Sequence, residues 1–117
     1  MIRAAVLGLA LASCLLSVGG AYASANGAND YLLAQSPSAQ AAIFTKAIGR
    51  GCTARTVFYM GTGVRGFPKN HAIWNARCAS GATYAIKVAP DGSNQVIECT
   101  VFEAMNGLKC FKKPAVK

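Results

Sequence analysis

The sequence predicts an α+β domain in which one N-terminal helix packs on a four-stranded antiparallel β-meander, with a fifth strand as the alternative, the whole stapled by disulfides. Three observations predict it. A helix with start and stop signals occupies residues 36–51, the hydrophobic period then changes to two, and four cysteines remain once an export signal is set aside.

Residues 1–23 read as a secretory signal peptide. Arg3 supplies one charge, Ala4 to Val18 carries none, and Gly19-Gly20 precede the small-x-small sequence Ala21-Tyr22-Ala23. Fifteen residues make roughly 22 Å of helix against a hydrocarbon core of roughly 30 Å, too short for a membrane span. Cleavage is expected after Ala23, with Ala25 as the second site, giving an exported protein that is periplasmic or extracellular. Leu11-Ala12-Ser13-Cys14 also reads as a lipobox, so a lipoprotein anchored through Cys14 is the alternative. Against it, the apolar run before Cys14 is only about nine residues long, and Leu15-Leu16 extend it beyond the cysteine. Removing Cys14 leaves Cys52, Cys78, Cys99 and Cys110, an even set suited to disulfides in an oxidising compartment.

Residues 24–35, "SANGANDYLLAQ" from Ser24, open with small and turn-forming types and are expected to be loose until Tyr31-Leu32-Leu33 can pack. The single domain is placed at 36–112, with a basic tail at 113–117. In "SPSAQAAIFTKAIGRG", Ser36 caps, Pro37 suits the first helical position, Gly49 and Gly51 stop the helix, and Lys46 and Arg50 complement its dipole. Ile43, Phe44, Ala47 and Ile48 form its apolar stripe. The strands are expected at 54–60, 71–78, 83–89 and 95–102, rich in β-branched and aromatic residues. Gly81 and "PDGS" serve as turns between the later pairs.

Placing Trp74, Ala76 and Cys78 on the core face gives a register with Cys78 opposite Tyr84, Ala76 opposite Ile86, Ile86 opposite Ile97 and Tyr84 opposite Cys99. Cys78 and Cys99 are then about 9.5 Å apart, beyond disulfide reach. Folding the first strand back puts Phe58 opposite Ala72 and Cys52 opposite Cys78. The expected pairs are therefore Cys52–Cys78 and Cys99–Cys110. The second pair meets a conflict, because a tight hairpin at Asn106-Gly107 sets Cys110 opposite Glu103, out of reach of Cys99.

The whole chain is formally +8, and loss of Arg3 with residues 1–23 leaves about +7, so a charge-driven partner is anionic. Lys109, Lys112, Lys113 and Lys117 gather part of that charge in "LKCFKKPAVK", a candidate anion-binding segment, although a solvated surface with a frayed tail is the first reading of such a run. The loop from Gly61 to His71 is the candidate partner-binding segment, since Arg65, Phe67, Lys69, Asn70 and His71 combine cations, an exposed ring and amide donors. "GTGVRG" within it satisfies G-x-G-x-x-G, but Phe67-Pro68 and a strand follow where a dinucleotide site needs a helix, so no cofactor is expected.

Catalysis has little to work with. His71, the only histidine, alternates with Ile73 and Asn75 on the face opposite Trp74 and is expected to face solvent. The four carboxylates Asp30, Asp91, Glu98 and Glu103 are scattered, and the cysteine spacing lacks the C-x-x-C of a zinc site. Phe58, Trp74 and Tyr84 read as core rather than as a ligand platform.

The order of a helix followed by a meander is similar to small periplasmic inhibitor and PepSY-like modules and, more loosely, to cystatin-like sheets wrapped on a helix. "QVIEC" lacks the glycine of the cystatin Q-x-V-x-G segment, so the likeness is architectural and transfers no functional residue. The expectation is a non-catalytic binding or accessory protein of the cell envelope, engaging a protein through the 61–71 loop or an uncovered sheet edge. The alternative is a cationic protein that binds polyanions or membrane surfaces, with an enzyme a distant third.

Overall fold

The computed structural model describes residues 25–114. Residues 1–24, with Cys14 and the cleavage expected after Ala23, and Lys117 lie outside the described residues. Two helices, α1 (Gly27–Leu33) and α2 (Pro37–Ile48), precede strands β1 (Ala54–Thr62), β2 (Ala72–Cys78), β3 (Thr83–Val88) and β4 (Asn94–Glu98), and a third helix, α3 (Cys99–Asn106), follows them. The strands form one antiparallel sheet in the order β1-β2-β3-β4, the meander the sequence predicts.

Helix α2 forms as its signals dictate. The Ser36 hydroxyl accepts the Ala39 N–H at 3.1 Å, Pro37 occupies the first turn, and Gly49 ends the helix at φ 63°, where a side chain would be strained. Its stripe drives Phe44 and Ile48 into the sheet. The Thr45 hydroxyl then accepts the Ala54 N–H at 2.9 Å, tying the helix to the start of β1.

Residues 27–33 are helical rather than loose. The Asn26 side chain caps α1 by accepting the Asn29 N–H, while its Nδ2 donates to the carbonyls of Asn70 and Val88, each at 2.9 Å. Asn29 in turn accepts the Trp74 indole N–H at 2.7 Å and donates to the Tyr59 and Thr62 hydroxyls. Two buried asparagines thus satisfy polar groups that the sheet would otherwise strand, and this network orders a segment whose composition reads as flexible.

Both faces of the sheet are covered. On one, Ala72, Trp74, Ala76, Tyr84, Ile86 and Val88 meet α1 and α2, and Trp74 sits between Phe44 and Tyr59 with ring centroids 5.4 and 4.8 Å away. On the other, Met60, Ile73 and Ala85 meet Phe102 of α3. Ile73 and Asn75 are fully buried, so the face expected to be wet is a second core.

The register departs from expectation in three places. Ala76 pairs with Tyr84 and Trp74 with Ile86, a two-residue slip that keeps every side chain on its expected face. Ile86 pairs with Val96 rather than Ile97, a one-residue slip that turns Ile97 to the second core and Val96 to the first. Phe58 pairs with Asn75 and Ala54 with Cys78, with irregularities between Ala54 and Thr56 and between Tyr59 and Gly61.

The fourth strand also stops at Glu98, and "CTVFEAMN" is helix α3. That helix removes the conflict over Cys110. Eight residues advance only about 12 Å as helix against about 26 Å as strand, and Gly107 at φ 70° turns the chain back along the helix. Cys99 and Cys110 come to a Cα separation of 6.1 Å and bond, as Cys52 and Cys78 do at 5.2 Å. Both expected disulfides are present.

Candidate functional site

The segment after α3, residues 107–114, is a strap pinned across the second face of the sheet. Its Cys110 is bonded to Cys99 and donates its N–H to Glu103 Oε2 at 2.9 Å. The Phe111 N–H reaches the buried Asn75 Oδ1 at 2.7 Å, which gives that core asparagine its acceptor role. Phe111 takes φ 63°, left-handed for a non-glycine residue.

The loop between β1 and β2 lies on the same side. Gly63 donates to the His71 carbonyl at 3.0 Å, and a Cβ on Gly63 would meet the Lys69 carbonyl oxygen at 2.9 Å, so this glycine closes a tight interstrand loop. Val64 is buried in the second core, and Phe67 stacks on Phe102 with centroids 5.8 Å apart. Phe67 is therefore a packing residue and not the exposed ring expected of a partner-binding loop. Arg65, Lys69 and Asn70 are exposed, although the Asn70 carbonyl is held by Asn26. His71 is half-buried rather than solvent-facing, with its Nδ1 enclosed and without a hydrogen-bond partner.

The two candidate segments, 46 residues apart between Arg65 and Phe111, therefore converge on one side of the sheet, around α3. Strand alternation adds Arg77, and Lys87 opposite Ile73, to that side. Exposed Lys109, Lys112 and Lys113 stand on the strap. The cations are positioned by rings: the Arg77 guanidinium lies 4.6 Å from the centroid of Phe111, Phe111 packs on Phe58 at 6.2 Å, and Lys113 Nζ lies 5.9 and 5.1 Å from Phe58 and Tyr59. Such contacts hold the heads of long side chains at defined places while leaving them wet.

The carboxylates do not balance this side. Glu103 is engaged by the Cys110 N–H, and Asp91 lies in the β3–β4 turn, accepting from the Ser93 N–H at 2.9 Å and hydroxyl at 2.7 Å. Those bonds hold the Asp91 carboxyl below the usual aspartate range. Glu98 pairs across from Tyr84, on the face that α1 and α2 cover. Of the chain's twelve Lys and Arg, all but Arg3 and Lys117 fall in the described residues, and so do all four acids.

A second concavity, of about 250 Å³, opens between α1, α2 and the β3–β4 hairpin. Its walls are Leu32, Ile43, Phe44, Ile86 and Val88, with Tyr31 at the rim, and it presents no titratable group besides that phenol. Among the described residues, no three His, Cys, Asp or Glu side chains are placed to hold a metal ion, and no helix is long and apolar enough to cross a membrane.

No protein-family model, curated protein or solved structure shows significant similarity to the chain. The convergence of loop and strap is the feature that sequence reading missed. Its signal was present in "CTVFEAMNG", where Phe102 and Asn106 fall one helical turn apart and Gly107 follows.

Proposed function

We propose that this is a small exported, non-catalytic binding protein of the cell envelope that engages an anionic partner through the basic side built by α3, the strap and the 61–71 loop. The observation that carries the reading is the charge asymmetry of the sheet. One side gathers Arg65, Lys69, Arg77, Lys109, Lys112 and Lys113 around a single bonded carboxylate, whereas Asp30 and Glu98 belong to the α1–α2 side. Two disulfides suit the oxidising compartment that an export signal implies. Arg77 and Lys113, which rest on the rings of Phe111, Phe58 and Tyr59, lose little freedom on binding, so more of the electrostatic gain survives as affinity.

A soluble polyanion such as heparin tests this. Binding should be measurable at low ionic strength and weaken steeply towards physiological salt, as counterion release and screening require. Absence of binding at low salt would overturn the reading.

The outer edge of β1 favours a second reading. Nine residues long and with no strand beyond it among the described residues, it offers an edge for pairing with an extended segment of a partner protein past Ala54, whose N–H the Thr45 hydroxyl accepts. Such a complex would persist when salt is raised, and an envelope-extract pull-down at two salt concentrations separates the two.

A further inference from the structure

The concavity between α1, α2 and the β3–β4 hairpin is not used by the anionic-partner reading. Core side chains Leu32, Phe44, Ile86 and Val88 form its interior with Ile43 beside them, and its lining holds neither a cation nor a carboxylate. Two polar groups stand at the opening. Tyr31, 61% exposed, and the exposed Asn94 both line it, and neither side chain is held by a hydrogen bond among the described residues. Asn94 pairs with Val88, so its amide lies on the same face of the sheet. The space is kept open by bonds made outside it. Asn26 Nδ2 donates to the Val88 carbonyl, Asn29 accepts the Trp74 indole N–H, and Gln40 Nε2 donates to the Leu32 carbonyl at 2.9 Å, fixing α1 to both the sheet and α2. Collapse of α1 into the space would break these bonds and strand buried polar groups.

We infer that the concavity binds a small uncharged apolar molecule of about ten carbon atoms, whose single hydroxyl or carbonyl group meets Tyr31 and Asn94 at the opening. Its size follows from the volume. An apolar cavity of about 150 Å³ takes benzene, so about 250 Å³ suits about ten carbon atoms. Its polarity follows from the lining: apolar walls with a few polar groups converging at one end are the ordinary make-up of a small-molecule site, and no lining group would neutralise a charged head. A docked protein chain fits less well. Among the exposed large apolar residues described, only Tyr31 lines the opening, short of the apolar centre that a protein interface needs. Because its walls are fixed by bonds elsewhere, the site needs little reordering to receive a ligand. It lies on the opposite face of the sheet from the strap and the 61–71 loop, so the inference stands apart from the anionic-partner reading.

The test titrates decan-1-ol, and separately decanoate, into the disulfide-bonded exported protein at neutral pH, below the aggregation limit of each, and follows the side-chain methyl groups by NMR. The expected result is saturable shifts of the Leu32, Ile43, Ile86 and Val88 methyls with decan-1-ol, none at Ile73 and Ile97 on the other face, and weaker binding of decanoate. Ala47→Leu and Ala28→Leu fill the space from α2 and from α1 with a good helix former, and each should weaken decan-1-ol roughly tenfold or more by taking the room of about three methylenes. Near-ultraviolet circular dichroism verifies the fold of each variant. Absence of saturable shifts in the parent protein would overturn the inference, as would equal shifts on both faces of the sheet or unchanged affinity in a folded variant. Decanoate binding as tightly as decan-1-ol would overturn the uncharged head. The parent's methyl map decides the matter even where a variant fails to fold, and heparin binding, measured separately, keeps the anionic-partner reading distinguishable from this one.

Discussion

Replacing Cys52 and Cys78 together by alanine should destabilise the protein more than replacing Cys99 and Cys110. The first bridge spans 26 residues and the second 11, so loop-closure entropy gives about 3.5 and about 2.8 kcal/mol respectively. Burial acts in the same direction. Cys52 and Cys78 are both core residues beneath α2, whereas Cys110 is half-buried at the edge of the second cluster. For a domain of this size each kcal/mol moves Tm by about 4–8 °C, so the first pair should lower it by roughly 14–28 °C and the second by at least a few degrees less. Thermal melts followed by circular dichroism, with free-thiol labelling to verify the bridge that remains, read both values. A larger loss from the Cys99–Cys110 pair would refute the reasoning and make the strap, not the junction of α2 with the sheet, the more important staple.

Three further outcomes follow from the same contacts. Asn29→Ala strands the buried Trp74 indole N–H and should cost about 1–3 kcal/mol in chemical denaturation, whereas a change within a few tenths would show that the asparagine network does not hold α1 in place. The Asp91 carboxyl, held by the Ser93 N–H and hydroxyl, should titrate below ordinary aspartate in a carbon-detected NMR titration. The turn's stabilisation is then present at neutral pH and is lost only as pH falls through that lowered value, and titration at or above the ordinary value would contradict it. Mass spectrometry of exported protein should read Ser24 as the N-terminus, or Asn26 from the second site, and a diacylglycerol-modified Cys14 would contradict the signal-peptide reading.

The parts of the fold legible in the sequence are those written in local signals. Ser36, Pro37 and Gly49 announce α2 because capping is a property of a few adjacent residues, and the alternation from Ala54 to Val88 announces three strands for the same reason. Helix α3 was hidden because Glu98 makes no side-chain cap and Thr100-Val101-Phe102 favour strand. Packing of Phe102 and closure of the Cys99–Cys110 bridge override that preference. Asn106-Gly107 illustrates the ambiguity, since the same dipeptide that marks a tight hairpin serves here as a helix stop. Helix α1 was hidden for a different reason. Its stability comes from Asn26 and Asn29 bonding to residues some 30 to 62 positions away, which no local pattern records. The Cys52–Cys78 pairing came out correctly because proximity of strand ends tolerates a shift of two residues, and Cys99–Cys110 closes because α3 replaces the expected strand, whereas the assignment of faces in β4 does not tolerate a shift of one.

The basic cluster was legible as composition but not as a surface. Arg65 and Lys69 on one loop and Lys109 and Lys112 on a distant strap are joined only by the second core, through Phe67, Phe102 and Cys110.

Whether that side of the sheet is where an anionic partner binds is tested most directly by two variants of equal net charge. Lys109→Gln/Lys112→Gln neutralises two exposed cations on the strap, and Lys46→Gln/Arg50→Gln neutralises two on and just after α2, on the other side. Heparin affinity at low salt should fall severalfold or more for the strap pair and shift its salt dependence, with little change for the α2 pair. Equal losses from the two variants would show that binding follows net charge alone and would contradict the assignment of the site.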